Sequence, residues 1–440
     1  MHRYLSLIQI VNCVCALLVA ELFTLPAHAA VTKRVSVSSE GVEADRAGEK
    51  PAISADGRYV VFYSKATNLV PGDTNEDGDV FLRDRRTGKT VRVSVASDGK
   101  EGKGQSRDQS ISADGRYIAF SSSAPDLVPD DTNGRTDVFV HDVQTGNTTR
   151  VSVSSEGEQC DLASKYPAIS ADARYVAFYS KASNLVPGDT NQEGDVFVHD
   201  RRTGKTTRVS VASDGTPGAV QSDNPSISGD GRYVAFQSYA GNLVPGDTNE
   251  RADIFVHDRE TGKTVRVSVA SDGTQGNEGS LSPSISRDGR YVVFQSYASN
   301  LVAGDTNRHC DIFLHDLNTG KTLRISVAGD GTQGDGESRQ GFISADGRYV
   351  AFQSRSTNLV AGDTNGMKDV FLRDLKTGEI TLVSVTSDGA QGNGDSSQAA
   401  LSGDGRCVVF RSAASNLAAG DANGKSDIFV RDLEADEAAD

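Results

Sequence analysis

Residues 53–62 read I-S-A-D-G-R-Y-V-V-F, and residues 68–81 read N-L-V-P-G-D-T-N-E-D-G-D-V-F. Both phrases return every 58 residues, seven times and without insertion or deletion. The aspartate of the first phrase falls at Asp56, Asp114, Asp172, Asp230, Asp288, Asp346 and Asp404. Self-similarity at this period means a stack of supersecondary units, none of which buries its apolar faces alone. Read with period two, the first copy holds four short strands, Ala52 to Ser54, Tyr59 to Ser64, Asp79 to Asp84 and Thr90 to Val95. Asp56-Gly57 supplies the positive φ of a tight hairpin, and the turn Asp84 to Gly88 ends on a glycine suited to the left-handed position.

The phase of the repeat chooses between an open stack and a ring. Residues 32–37, T-K-R-V-S-V, match the fourth strand, with Val35 lying 58 residues before Val93, while the last copy stops after its third strand at Asp432. The N-terminal segment therefore supplies the strand that the C-terminal blade lacks, and closure removes edges that an open array would have to protect. The expected fold is all-β: a seven-bladed β-propeller of four-stranded antiparallel blades, closed by residues 32–37 and occupying residues 30–440.

The phrase S-x-D-G-R-Y-[VI]-[VA]-F, followed by D-[VI]-F-[VL]-x-D and a T-G turn, resembles the TolB-type, WD-like β-propeller repeat over residues 31–433. The resemblance is specific to fold. Propellers of this kind serve as binding platforms, as accessory domains of peptidases and as lyases, so it does not choose a function. It covers the propeller part only, without the small domain that precedes the propeller in TolB and with seven units against six.

Forty-five glycines, no tryptophan and 37% hydrophobic residues in a 440-residue chain suit short strands and turns. Residues 1–29 read as a signal peptide: Arg3, an apolar stretch from Leu5 to Phe23, and Ala27-His28-Ala29 before the cut. This implies a periplasmic or secreted protein with no membrane insertion after cleavage. Arg3 and Glu21 cancel, so the mature part keeps the net charge of −15, which argues against nucleic acid or an anionic membrane as partner. Cys160, Cys310 and Cys407 sit at three different repeat positions, the wrong pattern for a disulfide framework.

The D-T-N-x-x-x-D element invites a calcium reading, because oxygen ligands at alternating positions wrap a hard cation. Only the first copy, Asp73, Asn75, Asp77 and Asp79, and the third, Asp189, Asn191, Glu193 and Asp195, place an acid at the fifth position; elsewhere it is Arg135, Arg251, His309, Met367 or Lys425. The competing expectation is that Asp and Asn cap turns through their own backbone amides. Asp56 and Arg58 with their equivalents read as a frame for hairpins and neighbouring blades. His141, His199, His257 and His315 share one position with Arg83, Arg373 and Arg431, which reads as a strand-surface cation paired with a nearby Asp. His309 beside Cys310 is the one unrepeated histidine of the repeat region, and no nucleophile elbow, phosphate loop or zinc-protease motif occurs. Tyr59 and its equivalents read as interblade packing, and Tyr63, Tyr179, Tyr239 and Tyr297 as packing or as platforms for a sugar ring.

In an antiparallel blade the second-to-third loop and the connection to the next blade leave the same end, so the long loops share one face. The sequence thus predicts an exported, monomeric, non-catalytic binding or scaffold propeller that meets an envelope polysaccharide or a protein through that face. The alternatives are a polysaccharide lyase or glycoside hydrolase, with acids and His309 at the channel mouth, and a calcium-stabilised structural ring.

Overall fold

A computed structural model describes residues 30–433; residues 1–29, where a signal peptide is expected, and residues 434–440 lie outside the described residues. The chain is a ring of seven four-stranded antiparallel sheets. Blade 1 contains Gly48–Ile53, Tyr59–Ser64, Asp79–Asp84 and Lys89–Arg92, and blades 2 to 6 repeat it. In blade 7 the strands Ser396–Leu401, Cys407–Ser412 and Asp427–Asp432 are completed by Val31–Arg34, which pairs antiparallel with Asp427–Asp432. The expected closure is present, and the pairing continues one bond further, from Val35 N to Ile428 O (2.8 Å). Among the described residues no helix is long and apolar enough to cross a membrane.

The first strand departs from expectation. It begins at Gly48, four residues before the predicted Ala52, and its register with the second strand shifts between Glu49 and Ala52. The bulge resets the alternation, so Glu49, Lys50 and Ala52 keep solvent exposure while Gly48, Pro51 and Ile53 are buried. A proline tolerated at a bulge rather than ending a strand hides this extension from a period-two reading. The fourth strand is shorter than expected, ending at Arg92; beyond it only Val93 N to Val80 O and an isolated bridge from Val95 to Glu101 continue the pairing.

The apolar core lies between blades. Val61, Val80, Leu82 and Val93 of blade 1 form one cluster with Ile118, Phe120, Leu127 and Phe139 of blade 2. Its counterpart across the seam joins Val35, Val409, Ile428 and Val430 to Val60, Phe62 and Phe81. Within each blade two phenylalanines from the second and third strands stack, as Phe62 and Phe81 do at 5.9 Å between centroids.

The repeated arginine and aspartate lock each blade at its short-turn end. Asp56 Oδ1 accepts the Ser54 hydroxyl (2.5 Å) and Arg58 N (3.0 Å), closing the first hairpin. Arg58 donates in fork geometry to Asp84 (2.9 and 2.7 Å), which lies in the same blade rather than a neighbouring one, and stacks over Tyr59. Tyr59 in turn packs under Gly115 of blade 2, where a Cβ would overlap the ring. In blade 7 Cys407 replaces the tyrosine, and Asp432 is reached instead by Arg85 of blade 1 (2.7 and 2.5 Å).

Deleting residues 31–37 strips the closing strand and part of the seam core. We expect the melting temperature to fall by about 10 °C or more, or the exposed Asp427–Asp432 edge to drive association, read by calorimetry and size-exclusion chromatography. An unchanged monomer with an unchanged melt would refute the closure.

A second prediction concerns acid. The hydrogen bonds from Arg58, Arg290 and Arg348 hold the Asp84, Asp316 and Asp374 carboxyls down at about 2, and Arg116, Arg174 and Arg232 likewise depress Asp142, Asp200 and Asp258. A carboxyl depressed in the folded state stabilises it above the unfolded value near 4, and that contribution is lost as pH falls toward the folded value. Melting temperature should therefore drop steeply between about pH 4 and pH 2; a level profile there would contradict these pairs.

Candidate functional site

The first strands of the seven blades stand next to one another around the ring axis, and their bulges set the wall of the central channel. Every bulge places a non-glycine residue at positive φ: Lys50, Asp108, Tyr166, Asn224, Ser282, Gln340 and Gln398, all between 48° and 57°. Left-handed backbone costs a side-chain-bearing residue roughly 1 kcal/mol or more, and such residues gather at functional sites. The conformation repeats seven times while the residue type changes in almost every copy. The bulges are held by neighbouring blades. Lys50 N donates to Gln398 Oε1 (2.8 Å), Lys50 Nζ pairs with Asp108 (2.5 Å), and Ser282 N and Gln340 N donate to Gln237 and Gln295 of the preceding blades (3.0 and 2.9 Å).

The long loops and the connectors do share one face. The connector into blade 2 is held from both sides: Asn75 Nδ2 of blade 1 donates to Gly102 O (2.8 Å), and Lys103 N donates to Asp126 of blade 2 (2.9 Å). Asn68 of blade 1 works the same way on the connector before it, accepting Asp45 N (3.0 Å). These residues therefore bond neighbouring segments as well as their own loop, where Asn75 Oδ1 accepts Asp77 N (2.8 Å).

The acids read as cation ligands have a partner that their spacing does not reveal. Arg92 Nη1, from the fourth strand, lies 3.3 Å from Asp73 and 3.2 Å from Asp79, and Arg208 Nη1 lies 3.0 Å from Asp189 and 3.1 Å from Asp195. Asp79 also accepts the Ser94 hydroxyl (2.5 Å), and burial pushes its carboxyl up to about 6 against these partners. Asn191 repeats Asn75, bonding Gly218 O and accepting Glu193 N. Asp77 and Glu193 are joined to the pair by no side-chain bond. A group of three carboxylates, Glu43, Asp421 and Asp427, is the seam version of the same arrangement with Arg34 among them.

The histidines are corrected by their surroundings. His141 is buried, its Nδ1 lies 2.9 Å from Thr148 Oγ1, and burial lowers its pKa, so it is a neutral donor rather than a surface cation paired with Asp. The neighbouring Asp142 is already taken by Arg116. Arg83 replaces it by bonding the equivalent Thr90 (3.0 Å), which explains why His and Arg interchange. His309 is exposed and Cys310 fully buried, so adjacency in sequence does not make them a pair. All three described cysteines are unpaired, and burial raises their thiols to about 12, far from a nucleophile.

The four less regular tyrosines separate into two kinds. Tyr63 and Tyr179 lie in the second strand, 8% exposed, and cover Gly78 and Gly194; Tyr239 and Tyr297 follow the strand two positions later and are 50% and 41% exposed on the long-loop face. Beside Tyr63, between blades 7, 1 and 2, opens a cavity of about 390 Å³ lined by Arg46, Lys50, Lys65, Arg107 and Lys425, with Glu49 its one carboxylate.

No family model matches the chain, and no curated protein matches it. Solved structures do. The β-propeller domain of the Trilobed protease from Pyrococcus furiosus aligns with TM-score 0.53 and 12% identity over 89% of this chain and 98% of that one. An oligogalacturonate lyase in complex with manganese aligns with TM-score 0.52 and 13% identity over 90% of each chain. A putative TolB from Agrobacterium tumefaciens gives TM-score 0.41 and 20% identity over 63% of this chain and 80% of that one. The chain is similar to TolB-type propellers in its repeat phrase. At these identities the likeness is one of fold.

The pairing of tyrosine with glycine yields a test. Glycine occupies the position of Gly78 only in the two blades that carry Tyr63 or Tyr179; where the tyrosine is Ser121, the glycine is Thr136. Gly78→Thr should destabilise by about 1–3 kcal/mol through overlap with the ring. Adding Tyr63→Ser, which recreates the blade 2 combination, should recover most of the loss in denaturant melts. Additive losses in the double variant would refute the coupling.

Proposed function

We propose that this is an exported, non-catalytic binding propeller whose long-loop face takes an anionic polysaccharide at the mouth of the channel. One observation carries the reading: a chain of net charge −15 gathers five cations against a single carboxylate in one open cavity beside the axis. Cationic side chains clustered in a concavity focus potential far beyond what isolated pairs achieve and raise the local concentration of an anionic ligand. Asp108 holds Lys50 (2.5 Å) and Arg107 (3.8 Å), and Asp45 lies 3.7 Å from Arg46, while Lys65 and Lys425 are exposed, which keeps the desolvation cost of meeting a ligand low.

The shape suits a polymer rather than a compact anion. Lys65 and Arg107 belong to blades 1 and 2, whereas Tyr239 and Tyr297 stand on blades 4 and 5, across the ring. A chain of uronate residues crossing the mouth would meet charge on one side and aromatic faces on the other, the two features by which proteins hold acidic sugars. Tyr297 is presented by its surroundings, with Arg339 over its ring at 5.7 Å and Glu337 on the same guanidinium (2.6 Å).

The cavity lacks the second carboxylate that hydrolysis through an acid and a base requires, and no imidazole lines it. Export is read from residues 1–29, and a secreted or periplasmic location would bring the ring to envelope or extracellular glycans.

Calorimetric titration with polygalacturonate should show binding that weakens with salt, and neutral dextran should show none. Lys65→Glu together with Arg107→Glu, the first exposed, the second half-buried and both outside the core, should lower affinity about tenfold or more at low salt. Absence of binding to any acidic glycan, or equal binding by the double variant, would sink the reading; a crosslinked protein on the same face would replace it with a docking role. Release of unsaturated uronate during the titration would favour the lyase alternative.

A further inference from the structure

Six of the seven blades neutralise the same pair of carboxylates with an arginine of the fourth strand. The distances recur: Arg208 lies 3.0 and 3.1 Å from Asp189 and Asp195, Arg324 3.3 and 3.6 Å from Asp305 and Asp311, and Arg34 3.8 and 3.3 Å from Asp421 and Asp427. Blade 6 keeps the carboxylates as Asp363 and Asp369 but carries Leu382 where the arginine belongs. Leu382 packs against the apolar cluster between blades 5 and 6 and offers no charge.

The loss is not made good by another side chain. Asp369 is fully buried, with Oδ1 accepting the Ser384 hydroxyl (2.5 Å) and Oδ2 accepting Asn365 Nδ2 (2.9 Å). Asp363 Oδ1 is buried and has no hydrogen-bond partner. In blade 4 the glutamine of the connector, Gln275, donates to Asp247 (2.8 Å); in blade 6 Gln391 turns its amide to Gly362 O (2.8 Å) instead. The carboxylates that act on this pair from outside, Asp335 on Asp363 and Asp395 on Asp369, add to the negative charge. A buried carboxylate oxygen without a donor destabilises the fold unless a proton or a cation meets it.

We propose that blade 6 binds a hard divalent cation of the calcium class between Asp363 and Asp369, in the place that a guanidinium occupies in the other six blades. The ligands there are oxygens, as such an ion requires: the two carboxylates, with Asp363 Oδ1 unpartnered, and water from the exposed side of Gly362 and Thr364, because Gln391 Oε1 already accepts Thr364 N (3.2 Å) and Asn365 turns its carbonyl to Met367 N (2.8 Å) and its amide to Asp369. Two carboxylates match a divalent charge. The first and third blades, which carry more acids in sequence, already hold their own cation, so the site falls where the repeat departs from itself. The inference is independent of the glycan reading.

Thermal melts of the full chain in calcium chloride and in chelator test it. Wild type should melt about 3 °C or more higher at saturating calcium. Leu382→Arg should melt higher than wild type in chelator and lose the calcium response, because it restores the guanidinium. Asp363→Asn should lose the response without gaining the arginine, which keeps the test valid if the leucine replacement packs poorly. Asp73→Asn should keep it. No calcium response in wild type would mean that a proton alone satisfies Asp363; a response that survives Leu382→Arg and Asp363→Asn, or that disappears in Asp73→Asn, would place the ion elsewhere. Each of these overturns the proposal.

Discussion

The interface between one blade and the next is the constraint from which the rest follows. Each apolar cluster draws on two blades, as Val61 and Leu82 of blade 1 do with Ile118 and Phe120 of blade 2, so no sheet has a core of its own. Seven such interfaces are stable only if none is left open, and the seam is the one interface that must be made by residues distant in sequence. Val35 and Ser36 make it: the first enters the apolar cluster, and the second donates to buried Asp427 (2.6 Å). The out-of-phase cut of the repeat therefore strengthens closure, because a cut between blades would leave the seam with its apolar contacts but without the strand pairing of Val31–Arg34.

Once the ring is closed, the repeated and the varied residues divide the work. Positions that bond across loops and blades, such as Arg58, Asp84, Asn75 and Arg92, recur because the geometry they satisfy recurs. Positions at the channel bulges keep their left-handed backbone and change their side chains, from Lys50 and Asp108 to Tyr166 and Gln340. A fixed backbone with variable chemistry is how a symmetric scaffold acquires an asymmetric mouth. The basic cavity between blades 7, 1 and 2 and the exposed tyrosines of blades 4 and 5 are two expressions of that asymmetry.

Departures from the repeat carry more information about chemistry than the repeat does. Glycine appears at Gly78 and Gly194 because a tyrosine lies over each, and Cys407 stands where a tyrosine would, with Arg85 compensating at Asp432. Leu382 removes a cation without visible compensation. These substitutions are all present in the sequence, yet their meaning depends on which residues face one another across a sheet or a connector.

The period, the strands, the turn glycines and the closing strand were legible in the sequence, because all are local or follow from periodicity and phase. The bulge of the first strand was not, since a proline at a bulge and a proline ending a strand look alike until the register is seen. Nor was the arginine between Asp73 and Asp79, which reaches them from a neighbouring strand 13 residues beyond Asp79, or the burial that turns His141 from a surface cation into a neutral donor. The sequence by itself determined the ring, because a 58-residue repeat that cannot bury its own faces leaves few other solutions. Only the tertiary structure decided which charges are already paired and which are left without a partner of opposite sign, because pairing is a matter of distance across strands that no spacing along the chain encodes.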